Sequence, residues 1–229
     1  MSIKVSREEF EKRKVLQAGQ REISTSSFNA IIGGLLVWGL LLNYLMVRFL
    51  TDPILRLVGN LHPLVFILLY FGLVLVGSFM IRNESPVTSV IGFHLIAVPV
   101  GVIVCVALKG YGQATIQQAV AMTGIITVAF TLLGITFPKF FLSLGRVLFF
   151  ALIASIVVEL FGALILRTHF SWISWVVVGI FSLYIGYDWA RANTCAKTVD
   201  NAVDLAANLY LDIINIFLRL LEIIGDIKD

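Results

Sequence analysis

Seven long apolar segments dominate this chain and limit what it can fold into. Each has roughly 20 residues or more, enough to cross a hydrocarbon core of about 30 Å at ~1.5 Å per residue. They are Phe28–Leu50, Leu61–Ile81, Pro86–Leu108, Ala114–Phe137, Gly145–Leu166, Ser171–Ala190 and Val203–Ile224. Only 14% of the residues are charged, whereas a soluble domain has about 25%. We therefore predict an all-α membrane protein, a seven-transmembrane-helix bundle.

The connections between the apolar segments are short, so no linker divides the chain into separate domains. We predict a single membrane domain over residues 28–225, with an N-terminal tail at 1–27 and a C-terminal tail at 226–229. The N-terminal tail lacks the apolar core of a cleavable signal peptide. The first apolar segment is therefore expected to act as an uncleaved insertion signal.

Lysine and arginine are unevenly distributed between the two sides of the predicted bundle. The N-terminal tail and the loops on its side carry eleven of them, and the opposite loops carry four. By the positive-inside rule the N-terminus is predicted to be cytoplasmic. The compact chain without long tails favours a bacterial inner membrane over the endoplasmic reticulum. A net charge of +3 is too small and too dispersed for a nucleic-acid partner.

The last apolar segment carries a stripe of polar residues at spacings of four, four, three and four. The stripe consists of Asp204, Asn208, Asp212, Asn215 and Arg219. On a helix these spacings place the side chains on one face. A charge at mid-bilayer costs at least ~2.5–3.5 kcal/mol, so we expect this face to lie inside the bundle. Asp188, near the end of the sixth segment, is its expected partner.

Asp188 and Asp212 are predicted to form a carboxyl pair that shares one proton, because two close carboxylates in a low-dielectric site cannot both ionise cheaply. Such a pair suits a cation site, a proton relay or a pH latch. The alternative is that each aspartate lies unpaired at a solvated helix end. Glu159, in SIVVELFGALIL, is a candidate cavity acid or a residue of an outer rim. Arg82 ends the second segment, where a snorkelling arginine is expected.

Catalytic and metal-binding patterns are absent from the sequence. Tyr187-Asp188 is similar to the YD motif of presenilin-like proteases, but Asp212 lies in LYLDII rather than in GxGD, and the PAL motif is missing. The sequence also has no HExxH, GxSxG or Walker pattern. Cys105 and Cys195 show no CxxC or CxxH spacing. We expect a protein that is not an enzyme and that needs no cofactor.

The segments SLYIGYDWARA and LYLDIINIFLRLLEIIG, whose aspartates are 24 positions apart, resemble the transmembrane Bax inhibitor-motif family. GITFPKFFLSLGRVLFFAL is similar to that family as well, and the resemblance extends from Phe28 to Gly225. It implies a seven-helix bundle with the last helix at its centre. It also implies a pH-sensitive calcium leak channel in which Asp188 and Asp212 form the di-aspartyl sensor and offer oxygen ligands to calcium. Arg82 matches the arginine that can engage this pair.

One position departs from the family pattern. Some members have a glutamate on the second helix about eleven residues before the arginine, where this chain has Phe71. If that glutamate lines a cation path, its role is either missing here or taken over by Glu159. Two other functions therefore stay open. One is a non-conducting regulator that contacts another membrane protein in stress, cell-death or membrane-protease pathways, and the other is a proton-coupled transporter. The expected partners are the lipid bilayer, calcium ions and protons.

Overall fold

A computed structural model describes residues 13–16, 21–82, 85–168 and 170–228, and this part of the chain contains helices and no β-strand. The helices, numbered in chain order, are α1 Thr25–Gly59, α2 Pro63–Ile81, α3 Pro86–Leu108, α4 Gln113–Thr136, α5 Pro138–Ser143, α6 Gly145–Phe161, α7 Ser171–Thr194 and α8 Val199–Lys228. A π-helical turn, Gly162–Leu166, continues α6. The predicted all-α architecture is confirmed.

Six helices within the described ranges are long and apolar enough to cross a membrane. They are α1, α2, α3, α4, α6 together with its π-helical turn, and α7. The prediction of a multi-pass membrane protein is therefore confirmed for six spans. The seventh predicted span lies in α8, which has 30 residues but carries charged side chains along its whole length. A seventh crossing, and a central position of α8, stay predictions.

Some helix boundaries differ from those predicted. Helix α1 continues to Gly59 through Pro53, although its apolar segment ends at Leu50, because backbone hydrogen bonding extends a helix into polar, exposed sequence. Helix α8 likewise continues to Lys228, into the predicted C-terminal tail. The short helix α5 and the π-helical turn were not predicted. The turn ends at Arg167, which has a positive φ of 51°.

The described helices belong to two compact units. The first unit comprises Met1–Lys109 and Thr194–Tyr210, and the second comprises Gly110–Asn193 and Leu211–Asp229. Helix α8 thus contributes its beginning to the first unit and its remainder to the second.

Close backbone contact and buried hydrogen bonds stabilise the first unit. A Cβ atom added to Gly77 of α2 would lie 2.7 Å from the carbonyl oxygen of Gly92 in α3, so these two helices touch along their backbones. Asn43 of α1 donates a hydrogen bond of 2.6 Å to the hydroxyl of Tyr210, which is fully buried. The Tyr210 ring also packs against Phe93, with ring centroids 5.7 Å apart. These contacts fix the beginning of α8.

In the second unit, glycines bring α4, α5 and α6 against the later part of α7. A Cβ atom on Gly134 of α4 would lie 2.7 Å from the Cα atom of Gly186, and a Cβ atom on Gly186 would clash with the ring of Phe141 in α5. A Cβ atom on Gly145 at the start of α6 would lie 2.9 Å from the ring of Tyr187. The glycines therefore position the part of α7 that carries the first aspartate of the candidate site.

Candidate functional site

Asp188 and Asp212 both lie in the second unit, and both are buried, with 4% and 6% of their surfaces exposed. Asp188 is on α7, near its C-terminal end, and Asp212 is on α8. The two carboxyl groups are close enough to interact electrostatically. Neither aspartate therefore lies at a solvated helix end. Two buried carboxyl groups lie in one site.

The two carboxyl groups differ in their hydrogen bonds. Arg191 Nη1 donates a hydrogen bond of 3.1 Å to Asp188 Oδ1, and the two form an ion pair one helical turn apart. Asp212 Oδ2 is buried, and no donor in the described part of the chain reaches it. A buried acceptor without a donor is costly and uncommon in folded proteins. Asp212 is therefore the acid of the pair whose charge is less well compensated.

Two tyrosines of α7 lie beside the carboxyl pair. Tyr184 and Tyr187 contact edge to face, with ring centroids 6.3 Å apart and an interplanar angle of 85°. The Arg191 guanidinium carbon lies 5.9 Å from the centroid of the Tyr187 ring, a distance typical of a cation–π contact. Tyr184 lies within electrostatic range of both Asp188 and Asp212. The pair is thus bordered by two rings and one guanidinium group.

The arginine observed at the pair is Arg191, which was not predicted to belong to the site. Its contact with Asp188 could have been predicted, because residues three apart on a helix are neighbours on the helix surface. Arg82, the arginine implied by the family resemblance, is the C-terminal cap residue of α2. It is exposed and belongs to the first unit. Its engagement of the aspartates stays a prediction.

The carboxyl pair supplies at most four oxygen atoms to a cation. Calcium in proteins takes 6–8 oxygen ligands. Over the ranges that the structure describes, no group of three or more His, Cys, Asp and Glu side chains is arranged to hold a metal ion. A calcium ion at Asp188 and Asp212 would therefore need backbone oxygens or water to complete its coordination shell.

A second ionic cluster in the same unit contains Glu159, the predicted cavity acid. Its Oε1 lies 2.6 Å from Arg219 Nη2, in an ion pair that lacks the N–H alignment of a hydrogen bond. Arg219 Nη1 lies 3.2 Å from Glu222 Oε2. Ser174 Oγ donates a hydrogen bond of 2.8 Å to the same Glu222 oxygen. The cluster therefore connects α6, α7 and α8.

A cavity of about 370 Å³ opens beside this cluster. It is lined by Glu159, Ala163, Arg167, Thr168 and Phe170. The walls belong to the end of α6, the π-helical turn and the connection that follows it. Single-turn π-helical distortions of α-helices are frequent at functional sites. Glu159 thus borders a cavity, while its role as an acid of an ion path stays a prediction.

Comparison with known proteins gives a consistent set of matches. The family described as "Inhibitor of apoptosis-promoting Bax1" matches residues 20–229, which include both aspartates. An uncharacterized protein of Helicobacter pylori strain 26695 is 33% identical over 122 residues, 52% of this chain and 51% of that protein, so the chain spans about half the length of that relative. An uncharacterized membrane protein of Streptococcus pyogenes serotype M3 is 27% identical over 224 residues, 90% of this chain and 95% of that protein. Inner membrane protein YbhL of Escherichia coli K12 is 26% identical over 170 residues, with 70% and 73% covered.

Proposed function

The chain belongs to the Bax inhibitor family, and on that premise we propose that it is a pH-sensitive calcium leak channel gated by Asp188 and Asp212. One observation carries the proposal. Two buried carboxyl groups lie within electrostatic range of each other, and one oxygen of Asp212 accepts no hydrogen bond from the described residues. Ionisable residues inside a membrane protein are costly and usually functional.

The gating mechanism follows from the electrostatics of the pair. When the two carboxyl groups share one proton, the protonated group can donate a hydrogen bond to the other, and α7 is held against the adjoining part of α8. When that proton leaves at higher pH, two negative charges face each other in a poorly solvated site and repel. The contact between the helices weakens, and the freed oxygens attract calcium. Calcium leak therefore rises with pH.

The membrane arrangement is part of the same proposal. We propose seven crossings with α8 at the centre of the bundle, and most side chains between Asn201 and Ile224 are indeed buried. The distribution of basic residues supports a cytoplasmic N-terminus. The Escherichia coli relative is named an inner membrane protein, which supports a bacterial inner membrane as the location. This function requires no catalysis and no cofactor, and calcium is the transported ion.

The test is calcium flux into proteoliposomes between pH 5 and pH 8. Wild-type flux is expected to rise with pH, and Asp188→Asn and Asp212→Asn are each expected to remove that dependence, because an amide cannot release the shared proton. Asp52→Asn is the matched control, since it makes the same change at an exposed position of α1 and should leave the profile unchanged. Identical pH profiles for wild type and Asp212→Asn would contradict the proposed gate.

Phe71 favours a second candidate function. It stands on α2 where some family members have a glutamate, and it is 57% exposed, so α2 offers an apolar surface there instead of an acid. A non-conducting regulator that binds another membrane protein would use such a surface, in keeping with the family's description as an inhibitor of Bax1. Absence of calcium flux from purified wild-type protein at every pH would favour this candidate over the leak channel.

A further inference from the structure

Arg219 lies on the same face of α8 as Asp212, two turns further along the helix. Their positions differ by seven, which corresponds to about 10 Å along the axis and to a rotation only ~20° short of two full turns. Both residues belong to the second unit. In the proposed leak, a cation that leaves Asp212 along this face approaches the guanidinium group of Arg219.

The surroundings of Arg219 more than offset its positive charge. The ion pairs with Glu159 and Glu222 place one guanidinium between two carboxylates, so the three side chains together carry a formal charge of −1. These side chains are between 23% and 26% exposed, and Glu159 borders the cavity of about 370 Å³. The three residues, here called the charge cluster, are thus reachable from outside the second unit.

We propose that the charge cluster Glu159–Arg219–Glu222 determines how readily cations pass through the second unit, with Arg219 as the fixed positive charge that limits their flux. This inference rests on the proposed leak function and adds a second control point to it. The electrostatic energy of a cation near the cluster depends on the sum of the three charges. A more negative cluster attracts calcium more strongly, and a neutral cluster loses that attraction.

A purely structural role makes a different prediction from the proposed one. If the Glu159–Arg219 ion pair only held α6 against α8, removing either partner would break the same contact, so both variants would change calcium flux in the same direction. If the cluster acts through its charge, removing the arginine and removing the glutamate have opposite effects. The sign of the two changes therefore separates the two roles.

The experiment measures calcium flux into proteoliposomes at pH 8 for a series of variants in the full chain. Arg219→Gln changes the cluster charge to −2, and we expect flux to rise about four- to tenfold, from the Coulomb interaction of a divalent ion with one unit charge some 10 Å away at an effective dielectric constant of ~50–80. Glu159→Gln changes it to 0, and flux should fall by a similar factor. The double variant Arg219→Gln/Glu222→Gln restores −1 and should return flux to the wild-type value.

Two controls complete the series. Arg219→Lys keeps the positive charge and should conduct like wild type. If Arg219 instead acts structurally through its two-pronged guanidinium, lysine cannot replace it and flux should change. Asp52→Asn changes one charge in α1, outside the cluster, and should leave flux unchanged. A change of flux in the same direction for both Arg219→Gln and Glu159→Gln overturns the inference while the leak function stands. No wild-type flux at any pH overturns the leak function, and this inference with it.

Discussion

Replacing Gly134 with alanine tests the close approach of α4 and α7 that positions Asp188. A Cβ atom at this position would lie 2.7 Å from Gly186 Cα and 2.9 Å from its carbonyl carbon. These are backbone atoms of the opposing helix, so no side-chain rotation can relieve the contact. Gly186 lies two residues before Asp188. The substitution therefore forces the helices apart next to the carboxyl pair.

The size of the effect follows from the geometry. Ordinary van der Waals contacts of a Cβ atom begin at 3.4 Å, so the two backbones must separate by at least about 0.7 Å, and overpacking of this kind typically costs ~1–3 kcal/mol. Each kcal/mol corresponds to about 2–4 °C in the melting temperature of a chain of this size. We expect Gly134→Ala to lower the melting temperature by several degrees. Flux through the displaced pair should also lose part of its pH dependence.

The assay is thermal unfolding in lipid nanodiscs, followed by tryptophan fluorescence, with Gly124→Ala as the matched control. Gly124 is on the same helix, α4, and a Cβ atom there meets nothing within 4 Å. The control should be neutral or more stable by up to ~1 kcal/mol, the usual gain in helix propensity from glycine to alanine. Equal melting temperatures for the two variants would refute the inferred contact between α4 and α7.

Two further predictions concern the first unit. Tyr210→Phe removes the hydroxyl that accepts the buried asparagine hydrogen bond, so it should cost ~1–3 kcal/mol of stability; Tyr44→Phe, at a 62% exposed tyrosine, should cost almost nothing in the same melting assay. Arg13→Gln removes the 3.2 Å ion pair with Asp204, so amide hydrogen exchange should become faster at the beginning of α8. Arg21→Gln, which removes an exposed arginine, should leave that exchange rate unchanged.

Hydropathy predicts the membrane helices well, because a helix needs only sufficient length and apolar composition to be a candidate span. Six of the seven apolar segments are candidate spans in the structure, with boundaries close to those predicted. The end of α1 was not predicted, since a helix continues as long as its backbone hydrogen bonds do, and these extend to Gly59 past the apolar residues. The helix α5 is only six residues long, too short to give a periodic signal.

Only part of the candidate site could be predicted from the sequence. Contacts between residues that are close in the sequence leave a local pattern, whereas contacts between distant residues do not. Asp188 and Asp212 are conspicuous because each is an acid among apolar residues. The Arg191–Asp188 ion pair is also local, three residues apart. The partner of Glu159, in contrast, is Arg219, and nothing in the local pattern around either residue indicates the other. Such contacts depend on how the helices pack.

The polar stripe on α8 is uniform in the sequence, but its members have different surroundings in the structure. Asp204 is ion-paired with Arg13 in the first unit, and Arg219 is ion-paired with Glu159 in the second. Asp212, between them in the sequence, has a buried oxygen that accepts no hydrogen bond from the described residues and lies within electrostatic range of another acid. An ion pair stabilises the charged form of its members, whereas two neighbouring acids disfavour it. Asp212 is therefore the member of the stripe whose charge is least compensated by its surroundings.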